Sequence, residues 1–181
     1  KQIELVKNFA AQAVIAIENA RLLNELRQRT DDLSESLEQQ TATSEVLSVI
    51  SSSPTDVRPV FETIANNAGK LCGAGYCIVY NFDGQMIDVV AHYNLDRAAL
   101  DVLRQIWPMV PDPRALVGRI ILERELLHVA DVTAETNYTF ANTSQAALGI
   151  RTFLGVPMLR EGQPIGAIGL YRREVKLFFD R

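Results

Sequence analysis

Apolar positions in the first fifty residues step by three and four. Leu5, Phe9, Ala13, Ala16/Ile17 and Ala20 share one stripe, and Leu22, Leu26, Thr30, Leu33 and Leu37 continue it. This is helical spacing, and the doubled step of four is a stutter in a heptad-like seam. Neither glycine nor proline interrupts the chain before Pro54. The seam weakens at the polar Gln40, Thr41 and Ser44 before Val46, Leu47 and Ile50 resume it. A helix through Ile50 would run roughly 75 Å, well beyond the width of a small domain, so its stripe calls for a partner helix. The simplest partner is a second copy, joined through Leu22, Leu26, Leu33, Leu37 and Leu47. One or two amphipathic helices folded onto the domain remain the alternative.

Ser51-Ser52-Ser53-Pro54 ends this pattern, and Asp56 reads as the N-cap of a helix from Val57 to Leu71. Its predicted inner face is Val57, Phe61, Ile64, Ala68 and Leu71, and Gly73 and Gly75 stop it. The pattern then changes to short β-branched and aromatic runs. Tyr76–Phe82 and Met86–Tyr93 flank Asp83-Gly84 as a hairpin, and Asp96 caps a short helix carrying Leu100, Leu103 and Ile106. Leu116–Arg124 suits a helix and Leu127–Val129 a strand. A long polar connection from Ala130 holds Tyr138 and Phe140, and a helical turn is expected at Ser144–Leu148. Arg151–Leu159 and Pro164–Tyr171 form a closing hairpin around Arg160-Glu161-Gly162-Gln163. Hairpins at both ends with helices between them predict an α+β domain on one antiparallel sheet.

Composition narrows the chemistry. The 181 residues carry 18 basic and 22 acidic side chains, a formal net charge of −4 that excludes a basic nucleic-acid footprint. The longest apolar run of the N-terminal segment stops at Glu18, too short for a bilayer span, and Lys1–Glu4 lack the layout of a secretion signal. A cytoplasmic location and no membrane contact are therefore expected. Cys72 and Cys77 are too few for a disulfide framework or a four-cysteine zinc site. His92 and His128 lie 36 positions apart, without metal-ligand spacing, so no metal is expected. No phosphate-cradling loop or nucleophile triad can be assembled.

Three segments, VFETIANNAGKLCGAGYCIVYNFDG, LVGRIILERELLHVADV and GIRTFLGVPMLREGQPIGAIGLYRREVKLFFD, stand in an order that resembles the GAF domain family of small-molecule-binding sensory modules. The last is the most specific, with Gly-Val-Pro, a Glu-Gly hairpin and a glycine-rich strand leading to Phe-Phe-Asp. The subgroup it is most similar to occurs in bacterial sensor histidine kinases and nucleotide cyclases. The resemblance implies a GAF-like central antiparallel sheet of about five to six strands flanked by helices, preceded by the long N-terminal helix. It also implies the organisation of the chain. Residues 1–23 look like the closing helix of a preceding GAF domain, 24–53 a connecting coiled-coil signalling helix, and 54–181 a GAF domain without its own last helix. The apolar face so exposed should be covered by residues 1–23 of this chain or of its partner.

The same resemblance places a pocket between the sheet and residues 107–152. Its candidate ligand contacts are Val79, Tyr80, Trp107, His128, Tyr138, Phe140, Arg151 and Thr152, with aromatics for a planar ligand and Arg151 for an anionic group. Each also has a structural reading, as core filler or salt bridge. No bilin-attaching cysteine stands in that region, and the cyclic-nucleotide signature of the family is missing, so the cofactor is none or an unknown small molecule. The expected function is a non-catalytic sensor relaying a signal through a dimeric helix to neighbouring domains of the same receptor. The alternatives are a ligand-free dimerisation module and, more remotely, a thiol redox enzyme of the methionine sulfoxide reductase GAF type using Cys77.

Overall fold

The computed structural model describes residues 2–52, 57–135 and 148–179, with side chains of the N-terminal helix described over residues 17–48. Helix α1 (Gln2–Ser52) runs unbroken through the polar stretch at Gln40–Ser44. Pairs one turn apart support it: Arg29 bonds Glu25 at 2.7 Å, and the Thr30, Thr41 and Thr43 hydroxyls donate to carbonyls four residues back. Residues 1–44 form one compact unit and residues 45–181 the other. Leu22, Leu26, Leu33, Leu37 and Leu47 are each 54–63% exposed on the single chain.

The second unit is built on a five-stranded sheet ordered β2-β1-β5-β4-β3, every pair antiparallel. Its elements are α2 (Arg58–Leu71), β1 (Tyr76–Phe82), β2 (Ile87–Tyr93), α3 (Arg97–Ile106), α4 (Leu116–Glu123), β3 (Leu127–Val129), β4 (Thr152–Arg160) and β5 (Gln163–Arg172), with a 3-10 turn at Val132–Ala134. This is the GAF-like α+β architecture the sequence predicts. Asp96 caps α3 by accepting the Ala99 N–H at 2.8 Å. The expected cap at Asp56 lies outside the described residues. The cap position of α2 falls at Val57, which makes no side-chain bond, and Pro in the first turn supplies the start signal instead. Val57 and Leu71, expected on the inner face of α2, are exposed, while Phe61, Ile64, Ala65 and Ala68 pack on the sheet.

Both hairpins follow local turn chemistry. Asp83 accepts the N–H groups of Gln85 and Met86 at 2.8 and 2.7 Å, folding the β1–β2 loop around Gly84. β4 and β5 extend to Arg160 and Gln163, one residue further each than the apolar pattern suggests. Their loop is therefore the two residues Glu161-Gly162, both at positive φ (53° and 75°), the combination whose twist matches a hairpin. The expected turn at Ser144–Leu148 lies outside the described residues except for Leu148.

Period-two alternation divides the sheet into two faces. Tyr76, Ile78 and Tyr80 of β1 join Phe153, Ala167 and Tyr171 beneath α3 and α4. Cys77 and Val79 point the other way, joining Leu154 and Leu170 beneath α2. Gly166 lets β1 and β5 approach: a Cβ there would strike the Tyr80 carbonyl and the Met158 methyl. Gly118 does the same for α4, which lies against the backbone of Asp112.

Candidate functional site

The α3/α4 face carries a small, partly open cavity bounded by Tyr80 and Tyr171 from the sheet, Leu103 and Trp107 from α3 and its end, and Leu116 and Ile150. The Tyr80 and Tyr171 hydroxyls sit 2.8 Å apart in this apolar setting. Tyr171 stacks on Tyr76 (centroids 4.8 Å, planes 10° apart), and Phe153 tilts against it at 5.0 Å. Trp107 tilts over Tyr80 at 4.9 Å and 54°. Tyr80, Trp107 and Tyr171 line the cavity, with Tyr76 and Phe153 packed against Tyr171, so its wall is aromatic with one polar pair, suited to a planar, mostly apolar guest. The free volume is about 40 Å³, room for a water or two. A larger guest must displace a side chain, and Trp107 is the lid nearest the polar pair.

Of the residues selected from sequence, Tyr80 and Trp107 line this cavity. Val79 does not, because alternation along β1 sends it beneath α2. His128 also lies on that far face: it pairs with Leu154, and its ring meets Phe179 at 4.5 Å and Phe178 at 6.2 Å. Arg151 is committed to Asp131 through two bonds, Nε at 3.1 Å and Nη2 at 2.8 Å. That fork, with the Thr133 hydroxyl and N–H, holds the Asp131 carboxyl well below the usual carboxylate range. Thr152 is fully buried; its hydroxyl donates to the Ala130 carbonyl at 2.7 Å, lies 3.0 Å from that of Glu174, and accepts the Lys176 N–H at 3.0 Å. Arg151 and Thr152 thus tie strand ends together. Tyr138 and Phe140 lie outside the described residues.

Tyr171 and Leu103 are cavity residues that the sequence reading missed. Tyr171 carried a usable signal: a two-residue step along β5 puts it on the same face as Ala167, and the antiparallel register aligns it with Tyr76. Cys77 is buried beneath α2, and burial, with Cys72 nearby as the smaller cause, pushes its thiol up to about 12. Among the described residues no cluster of His, Cys, Asp and Glu is arranged to hold a metal ion. No described helix is long and apolar enough to cross a membrane.

An antiparallel sheet with helices on both faces and an aromatic-lined cavity beneath one of them defines an α+β domain. The chain belongs to the GAF domain family, whose model matches residues 56–181. Among solved structures it is similar to the GAF domain/HD domain protein from Geobacter sulfurreducens, at 27% identity and TM-score 0.59 over 70% of this chain and 81% of that one. It is also similar to the GAF domain of a phosphoenolpyruvate-protein phosphotransferase from Coxiella burnetii (15% identity, TM-score 0.65, 81% and 82% covered). A third similar fold is free methionine-R-sulfoxide reductase from Neisseria meningitidis in complex with its substrate (16%, TM-score 0.59, 81% and 79%). No curated protein matches the chain.

Proposed function

We propose that the chain is a non-catalytic sensory segment of a bacterial signalling protein, of the sensor histidine kinase or nucleotide cyclase kind, working in the cytoplasm. The observation that carries this reading is the aromatic-lined cavity beside Trp107, in a chain that also holds a 51-residue helix with an exposed leucine stripe. A small molecule entering between Tyr80 and Tyr171 has to shift Trp107 and the end of α3. Binding therefore favours one packing of the domain over another, and a differential of roughly 1–3 kcal/mol suffices to bias a marginal two-state helix pair. Leu22, Leu26, Leu33, Leu37 and Leu47 form the seam of a homodimer, with Gln40–Ser44 keeping it marginal. Residues 1–23 are the closing helix of a preceding domain, 24–53 the relay, and 54–181 the sensor that neighbouring domains of the receptor read.

Native mass spectrometry of the purified protein, followed by a thermal-shift screen of metabolites, tests the reading. A retained or stabilising small molecule on a dimer supports it; a tight dimer indifferent to every compound sinks the sensing half. The second reading, a ligand-free dimerisation module, is favoured by one observation, namely that the domain's own rings leave the cavity only about 40 Å³. A thiol redox activity draws no support from Cys77. Its side chain lies on the face opposite the cavity, and its raised thiol is the reverse of what a nucleophile needs.

A further inference from the structure

The aromatic cavity offers a guest no counter-charge. Among the described residues that line it there is no Asp, Glu, Lys, Arg or His. The polar connection over 136–147 holds none of these five residue types in its sequence either. An ion entering here gives up its water with no opposite charge to replace it, a penalty that excludes ionised ligands.

The hydroxyl pair decides what the guest must carry. Tyr80 and Tyr171 sit 2.8 Å apart, and either oxygen can be the donor. A guest that comes between the two rings breaks this bond. A hydrocarbon gives nothing back, so two buried hydroxyls lose each other. A guest hydroxyl donates to one oxygen and accepts from the other, and the exchange conserves hydrogen bonds.

Size sets the other limit. A benzene ring needs a cavity of roughly 150 Å³, against about 40 Å³ here. The shortfall has somewhere to go. Leu103 and Trp107 also line a second concavity, of about 360 Å³, between β2 and α3. Their shared wall has open space behind it, so a one-ring guest can push Trp107 outward. A larger ring system would have to displace the buried Leu116 and Ile150 as well.

We propose that the aromatic cavity takes an uncharged, one-ring aromatic alcohol of the phenol class. Its ring lies against Tyr80 and Trp107, and its hydroxyl stands between the Tyr80 and Tyr171 oxygens. The proposal rests on the sensing reading of this cavity and names the chemistry of its ligand.

An amide-resolved NMR titration with phenol at neutral pH tests it, beside toluene, benzoate and benzylamine, one-ring probes that lack the hydroxyl or carry a charge. Benzoate is the stringent comparison, because the first turn of α4 borders the cavity at Leu116 and Val117 and a helix start favours anions. Phenol should give saturable shifts at Tyr80, Leu103, Trp107 and Tyr171. Each other probe should bind at least about tenfold more weakly, a difference of about 1.4 kcal/mol. In Tyr171→Phe, phenol should weaken by about tenfold while toluene loses nothing, with unmoved β2 and β3 amides showing that the fold is kept. The panel on the parent protein decides alone should that variant not fold. The proposal is overturned if phenol gives no saturable shifts at these residues, if any of the other three probes binds as well, or if Tyr171→Phe weakens toluene and phenol alike. In that event a charged or larger compound found at the same residues by the metabolite screen keeps the sensing reading, and a silent screen removes both.

Discussion

Asp131 accepts the fork of Arg151 and two bonds from Thr133, so its charged form is favoured by folding. Its carboxyl titrates below the ordinary 3.8. The stability it adds is therefore complete above that value and is lost as pH falls through 3.8 toward its folded pKa. Asp131→Asn should lower the melting temperature at neutral pH, and the gap to the parent protein should close in acid; a gap that stays constant would show that the ion pair does not carry the effect. Burial raises both thiols, that of Cys77 to about 12, and exposure separates them: Cys72 is exposed and Cys77 buried, so a thiol reagent should modify one group per native chain first and the second only after denaturation. Fast reaction of both would contradict the packing beneath α2.

At the scale of elements, legibility tracked local physics. β1, the β3 strand and the capped α3 could be read from β-branched and aromatic runs, turn residues and Asp96, because each is specified within a few neighbours. The candidate site was legible only in part. Choosing Val79 together with Tyr80 overlooked that adjacent strand residues face opposite layers, and His128 went to the wrong side because its facing depends on the register with Leu154. Tyr171 needed the same cross-strand knowledge. Gly166 illustrates a constraint that register creates, since its hydrogen fills the space where a methyl would strike Tyr80. Gly166→Ala should cost about 1–3 kcal/mol in urea unfolding, an overpacking effect, and an unchanged midpoint would mean that β1 and β5 adjust freely. For α1, replacing Leu26 and Leu33 with glutamate should convert the proposed dimer to monomer in sedimentation; a persistent dimer would place the interface elsewhere.

Across the whole molecule the unevenly covered sheet is informative. α2 packs on β1 and β2, whereas Val156 (39% exposed) and its register partner Ile168 lie toward the β4 side of that face, beside Met158. If residues 1–23 of this chain or its partner cover this patch, their deletion should lower the melting temperature and raise binding of a hydrophobic dye. Cover by a partner would also make the parent's melting temperature rise with protein concentration. A truncated protein with unchanged stability and no added dye binding would separate the segment from the sheet.

Trp107 stands in the wall of both concavities and is the chain's single tryptophan. Its ring rests 4.9 Å from Tyr80. Excited at its own absorption band, the protein emits from this one place, so colour and intensity report whether that wall is dry, wet or moved. The domain carries its own optical gauge, and it can be read inside an intact receptor wherever no other indole competes.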